Sequence, residues 1–240
     1  MVVEILKKLV KKRKLKNQTS IAVNPEIINK FLNKPDFPWL ISFPRTGSHW
    51  LRMLMELYFE KPSLVRIFYY KKAVEFTCYH RHDEDLTIQG CQNVIYLYRN
   101  PVDTIYSQMR YYNEDMDDIN RVLNWTNLYG QHLKKWLFEE NYSKKKTILT
   151  YERMIKDLDS EFEKVCQHFN YPFLLDKFSQ VKKKVTKEKL KIKTLHDKKV
   201  VDFSKNYSKN RNYFKKNYSS IIIGAIKKND ERLCKCITQI

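Results

Sequence analysis

The sequence predicts an α/β fold: one domain with a central parallel β-sheet flanked by helices. Three observations predict it. The chain has 240 residues, the length of one ordinary α/β domain. Hydrophobic content of 42% with 14% aromatic residues can fill a core. Short β-forming runs alternate with longer stretches of helical periodicity, as in parallel sheets covered on both faces.

Taken in order, residues 1–36 read as a basic helix and lead-in, and 37–240 as the domain, less regular after about 180. Val2, Val3, Leu6, Leu9 and Val10 recur at helical spacing against a lysine face. Such a helix suits either an anionic membrane surface or packing on the domain. Asn24-Pro25-Glu26 reads as a helix start, Asn as N-cap and Pro at the first position, running to about Leu32. Phe37–Phe43, between Pro35 and Pro44, reads as a buried strand. Thr46–Phe59 reads as a helix, Ala73–Tyr79 and Asn93–Tyr98 as strands, and Pro101–Tyr112 as a helix capped by Asn100. Residues 117–140 form a longer helix, Thr147–Tyr151 a fourth strand, and 152–169 another helix before Pro172. Residues 182–216 carry fourteen Lys or Arg against Glu188, Asp197 and Asp202, and read as loops and short helices on a basic surface. Ile221–Ile226 docks a last helix.

Forty-six Lys+Arg against 27 Asp+Glu give a net charge of +19, which favours anionic partners. Charge alone does not choose among nucleic acid, anionic lipid, phosphorylated or sulfated cosubstrates and acidic glycans. Five cysteines, an odd number, match no metal-site or CxxC spacing, so reduced thiols and a cytoplasmic location are expected. No secretory signal and no run of about 18 apolar residues is evident.

Two segments carry chemistry. Leu40–Trp50 is strand, turn and helix. Its helix N-terminus points unpaired N–H groups at the sheet edge, where they suit phosphate. Gly47 permits close backbone approach, Arg45 adds a permanent charge, and Thr46 and Ser48 add hydroxyls. The spacing is not G-x-x-x-x-G-K-[ST], which disfavours an ATP-dependent kinase of that type. Asn93–Ser107 repeats the plan, with Arg99 at a strand end and Ser107 about two helical turns later. Both can reach one phosphate beside the sheet edge.

These segments resemble the sulfotransferase family and its P-loop-like nucleotide-binding fold. Ser42–Trp50 resembles its 5′-phosphosulfate loop, Arg99-Asn100-Pro101 through Ser107 its 3′-phosphate motif, and Leu149–Glu152 a later strand-end element. The resemblance runs from about residue 37 to 170. It implies 3′-phosphoadenosine 5′-phosphosulfate as cosubstrate and no metal. It assigns the 5′-phosphosulfate to Arg45, the phosphate cradle to Thr46, Gly47, Ser48 and His49, adenine contacts to Trp50 and Tyr151, and the 3′-phosphate to Arg99 and Ser107. The base is a histidine, His82 or His80. His82 is preferred, because family members show a basic residue, a spacer, then histidine. Imidazole titrates near neutrality, as removing an acceptor proton requires. A metal held by the H-x-H pair lacks an evident third ligand. The family's C-terminal basic-glycine segment is not placed: 198–216 holds Lys205, Lys209 and Arg211 but no glycine, so either another basic residue substitutes or the closing loop differs.

The acceptor is not readable: an acidic glycan, a lipid or a small molecule all remain. Two rivals stand beside this reading. One is a non-catalytic nucleotide or polyanion binder. The other is an atypical nucleotide kinase. Nucleic acid is not the expected partner, since the lysines cluster at the ends and the motifs sit on strand–helix junctions.

Overall fold

A computed structural model describes residues 20–70, 73–139, 143–197, 199–200 and 204–238. The basic helix expected at 1–16 lies outside the described residues. The elements are β1 (Ile21–Ala22), α1 (Pro25–Leu32), β2 (Trp39–Ser42), α2 (Ser48–Phe59), β3 (Arg66–Ile67), β4 (Tyr79–Arg81) and β5 (Asn93–Tyr98). They continue with α3 (Pro101–Tyr112), α4 (Ile119–Phe138), β6 (Lys145–Thr150), α5 (Tyr151–Lys156) and α6 (Leu158–His168). The last four are α7 (Leu175–Lys184), α8 (Lys187–Lys193), α9 (Tyr207–Asn229) and α10 (Leu233–Thr238).

The central sheet is parallel with strand order β4-β2-β5-β6, as the alternating pattern predicts. Its pleat sends successive residues to opposite faces. Ile41, Val94, Tyr96 and Tyr98 join one buried cluster with residues of α3, α4, α9 and α10. Leu40, Ile95, Leu97 and Leu149 join the other with residues of α2, α5, α6 and α7. The strands are apolar on both faces because both faces are covered. A separate antiparallel pair, β1 with β3, packs with α1 over Val23, Phe37, Leu64, Ile67 and Phe76.

Several boundaries differ from the sequence reading. No strand occupies the described part of 73–78. Thr77 N–H and the Cys78 carbonyl bond instead to Pro62 and Leu64, and the ladder with β2 begins only at Tyr79. The apolar run is buried by a loop, which periodicity does not separate from a strand. The expected helix 152–169 is two helices. Asp157 adopts an extended φ of −146° and caps the second through Ser160 N–H. The Thr147–Tyr151 strand spans Lys145–Thr150, and Tyr151 opens α5. The largest departure is at 182–216: the short α8 fits the expected loops and short helices, but the 23-residue α9 already begins at Tyr207 and runs on through Ile221–Ile226, where the last helix was expected. Lysine is a good helix former, and Phe214, Ile222 and Ile226 anchor α9 in the core while its lysines face outward.

Candidate active site

Three strands each feed a helix at the carboxyl edge of the sheet: β2 into α2, β5 into α3 and β6 into α5. In open α/β sheets this edge is where ligands sit. Every sequence-predicted site residue lies on one of these junctions or on β4 and the residue after it.

The first junction is bent by two left-handed residues, Arg45 (φ 69°) and Gly47 (φ 97°). A non-glycine residue there carries backbone strain, of a kind concentrated at functional sites. Gly47 is required twice. Its φ suits glycine, and a Cβ would stand 2.5 Å from Tyr151 Cδ2. Thr46 turns inward and donates to the Phe43 carbonyl at 2.7 Å, so its hydroxyl braces the loop. The α2 helix, expected from Thr46, starts at Ser48, and no side chain caps its N-terminus. The N–H groups of Ser48 and His49 therefore stay available to an anion, while Trp50 N–H bonds to the Gly47 carbonyl at 3.0 Å. His49 faces Phe68 and His196, and Trp50 meets Tyr151 edge-to-face at 6.0 Å.

The second junction follows the sequence reading closely. The Asn100 side chain accepts from Val102 and Asp103 N–H, and Pro101 opens α3. Arg99 is fixed through its backbone, which exchanges hydrogen bonds with the Tyr129 hydroxyl. Its guanidinium lies 4.4 Å from the Tyr151 ring centroid. Arg99 Nη1 donates to the Arg45 carbonyl at 3.1 Å, and Arg45 Nε donates to Ser107 Oγ at 3.1 Å. The two segments predicted to bind phosphate, about fifty residues apart in sequence, thus touch directly. Arg45 Nη2 donates to the Lys199 and Val200 carbonyls, and the guanidinium packs on Tyr111. Burial, with Arg99 nearby, pulls its pKa down against the acidic groups around it.

The histidines separate by their partners. His80 is buried and lies 4.6 Å from the His82 ring. Its Nδ1 faces Arg52 Nη1 at 3.4 Å, so that nitrogen accepts, and Nε2–H is left for Ser42 Oγ at 3.2 Å. His80 has no free lone pair. His82 is half-buried, and its Nδ1 lies 3.1 Å from the Ser42 carbonyl and 3.3 Å from Ser42 Oγ. A carbonyl only accepts, so the proton is on Nδ1 and the lone pair is on Nε2. Burial pushes His82 down to about 4, partly offset by the Ser42 carbonyl and reinforced by Arg52, Arg45 and Arg81. Burial likewise holds His80 well below its ordinary value.

Sequence reading held Ser42 and Glu152 within its motifs but gave them no role, and it missed Arg52. Ser42 stands between the two histidines, Arg52 occupies His80, and Glu152 accepts from Asn100 N–H at 3.0 Å. Their partners carry no local signal, because each acts on a residue 28 or more positions away.

No group of His, Cys, Asp or Glu suited to a metal ion occurs among the described residues. No described helix is long and apolar enough to cross a membrane.

Residues 80–220 match a family model described as the sulfotransferase domain. Among solved structures, mouse sulfotransferase SULT7A1 complexed with PAP is similar at a TM-score of 0.60 and 17% identity, covering 91% of this chain and 94% of that one. Retinol dehydratase complexed with retinol and PAP is similar at a TM-score of 0.57 and 14% identity, with 90% and 91% covered. The same enzyme with androsterone and PAP gives 0.56 and 13%, with the same coverage. These likenesses are of fold. No curated protein matches the chain.

Proposed function

The chain belongs to the sulfotransferase domain family, and from that premise we propose that it moves a sulfuryl group from 3′-phosphoadenosine 5′-phosphosulfate to a hydroxyl or amine acceptor. One observation carries the reading: Arg45 is contacted by both Arg99 and Ser107, so the two phosphate segments form one site.

The residues present fit the cosubstrate. Arg99 Nε is a buried donor with no hydrogen-bond partner. Gly47 leaves the loop backbone without a side chain beside Tyr151, and the α2 N-terminus is uncapped. A neighbour solved with PAP shares the fold. Arg99 and Ser107 would hold the 3′-phosphate, and Arg45 with residues 46–49 the 5′-phosphosulfate. Trp50 and Tyr151 offer rings to the adenine. When bound, the cosubstrate supplies the sulfuryl group and a bisphosphate leaving group.

The chain's own residues do the rest. His82 Nε2 receives the acceptor proton, with the ring held by Ser42. Arg45 places a fixed charge beside the loop, where negative charge is stabilised without reorganisation. The acceptor belongs to an open class of glycans, lipids and small molecules. The positive net charge favours its acidic members by steering, and residues 1–16 offer contact to an anionic membrane surface. The protein works in the cytoplasm on this reading.

Two measurements test it. Mass spectrometry of acceptor panels with isotope-labelled donor should show gain of one labelled sulfuryl group; gain of phosphate from ATP instead would favour a kinase. By calorimetry, Arg99→Ala should weaken adenosine 3′,5′-bisphosphate binding about 10-fold or more, the loss of one or more charge-assisted hydrogen bonds. Unchanged affinity would remove the 3′-phosphate assignment.

A further inference from the structure

The geometry points to His132 as a positioning residue for His82, acting with Lys135 and Trp136 as a three-point clamp from one face of α4 on the loop that carries the base. The inference rests on the reading of His82 as base.

That loop, residues 82–88, needs holding. It follows a strand of only three residues and contains two left-handed non-glycine residues, Asp83 (φ 51°) and Leu86 (φ 57°). Such a backbone persists only where its surroundings over-determine it. The surroundings are α4. Residues 132, 135 and 136 stand at i, i+3 and i+4, so they share a helix face. His132 Nε2 donates to the His82 carbonyl at 2.8 Å. Trp136 Nε1 donates to Asp83 Oδ2 at 2.9 Å. Lys135 Nζ reaches Asp83 Oδ2 at 2.9 Å and the Leu86 and Ile88 carbonyls at 2.8 and 2.7 Å. Asp83 Oδ1 closes the loop by accepting from Ile88 N–H at 2.9 Å. All four side chains are buried.

The His132 tautomer is itself fixed. Its Nδ1 lies 3.0 Å from the Tyr96 hydroxyl, which must donate, because Nε2 holds the ring proton for the His82 carbonyl. Burial keeps this imidazole neutral, down to about 3. A chain of donors thus runs from Tyr96 on the central strand β5, through His132, to the backbone of His82. From the other side Ser42 holds the His82 ring. The peptide is held by α4 and the ring by β2, which sets the direction of Nε2. Positioning of this kind decides rate, since a displacement of about 1 Å can cost about 10²-fold.

Three variants separate positioning from packing. His132→Phe keeps a ring but removes donor and acceptor. His132→Gln keeps both, its amide nitrogen facing His82 and its oxygen facing Tyr96. Tyr96→Phe keeps the helix contact but frees the tautomer. The readouts are kcat and donor KM, calorimetric affinity for adenosine 3′,5′-bisphosphate, and the 15N imidazole resonances of His82. The expected result is a kcat loss approaching 10²-fold for His132→Phe, with donor KM and bisphosphate affinity unchanged. The Nδ1–H signal of His82 should broaden or vanish. His132→Gln should recover most of the turnover, and Tyr96→Phe should fall between. Wild-type turnover with an intact His82 resonance in His132→Phe would overturn the inference. So would equal losses in the Phe and Gln variants, which indicate packing alone. Should His132→Phe not fold, an unchanged resonance and turnover in Tyr96→Phe overturns it. The resonance is read without substrate, so absent sulfuryl transfer in the wild type would strike the functional reading and leave this inference separately tested.

Discussion

His82 holds its Nδ1 proton on the Ser42 carbonyl, so its pH response belongs to Nε2. Burial, with Arg52, Arg45 and Arg81 adding to it, lowers that site to about 4. The protonated form is disfavoured, so the base form persists as pH falls from neutrality until about that value. In the free enzyme, reported by kcat/KM, the acid limb should lie near 4 and not near the ordinary 6.5. On the proposed function, the anionic donor beside Arg45 counters the arginine charges in the complex and raises the pKa. The acid limb of kcat should therefore sit higher than that of kcat/KM. The two pH–rate profiles check both statements, and a kcat/KM limb at 6.5 would contradict them. At this scale the sequence was partly legible. Arg45, Arg99 and Ser107 are candidates by their place on strand–turn–helix junctions, and the fold brings them together. The choice between His80 and His82 does not, because it depends on Ser42 and Arg52, which only folding brings beside them.

Helix α3 is held from above by α9. Arg211 binds Asp103 bidentately at 2.7 and 2.6 Å, and Lys215 adds a contact at 3.1 Å. Asp103 lies in the first turn of α3, within a turn and a half of Arg99 and Ser107. Its carboxyl is nearly buried, and removing Arg211 leaves it the Lys215 contact and the charge of Arg99 nearby. Arg211→Ala should lower stability by about 2 kcal/mol, below the usual range for breaking a buried pair because one partner remains. Urea denaturation measures it, and Arg211→Lys should restore only part, since an ammonium cannot form the fork. Asn93–Tyr98 and Pro101–Tyr112 could be read to the residue, because β-branched and aromatic residues fill the strand and Asn-Pro marks the helix start. Helix α9 could not. Its lysine density mimics a solvated loop, and the residues that anchor it meet partners on α3 and α4, far back in the chain.

Over the whole molecule the net charge is +19, and Arg45 and Arg99 make the candidate site itself cationic. Long-range attraction of an anionic donor is screened over a Debye length of about 8 Å at physiological salt. Raising ionic strength should therefore lower kcat/KM for the donor while leaving kcat nearly unchanged, as steady-state kinetics across a salt series will show. A parallel fall in kcat would place the effect on chemistry instead of encounter. The alternation of strands and helices gave the fold class from sequence, but not the strand order, which is a property of long-range pairing. That order has a consequence of its own. The arginines follow β2 and β5, each gripped by a ladder on both sides, whereas the proposed base follows β4, three residues at the rim that pair, among the described residues, with β2 alone. On the proposed function, nucleotide handling is thus built into the keel of the sheet, and acceptor handling into its gunwale. A lineage or a designer can re-cut the second to fit new cargo while the first stays as laid.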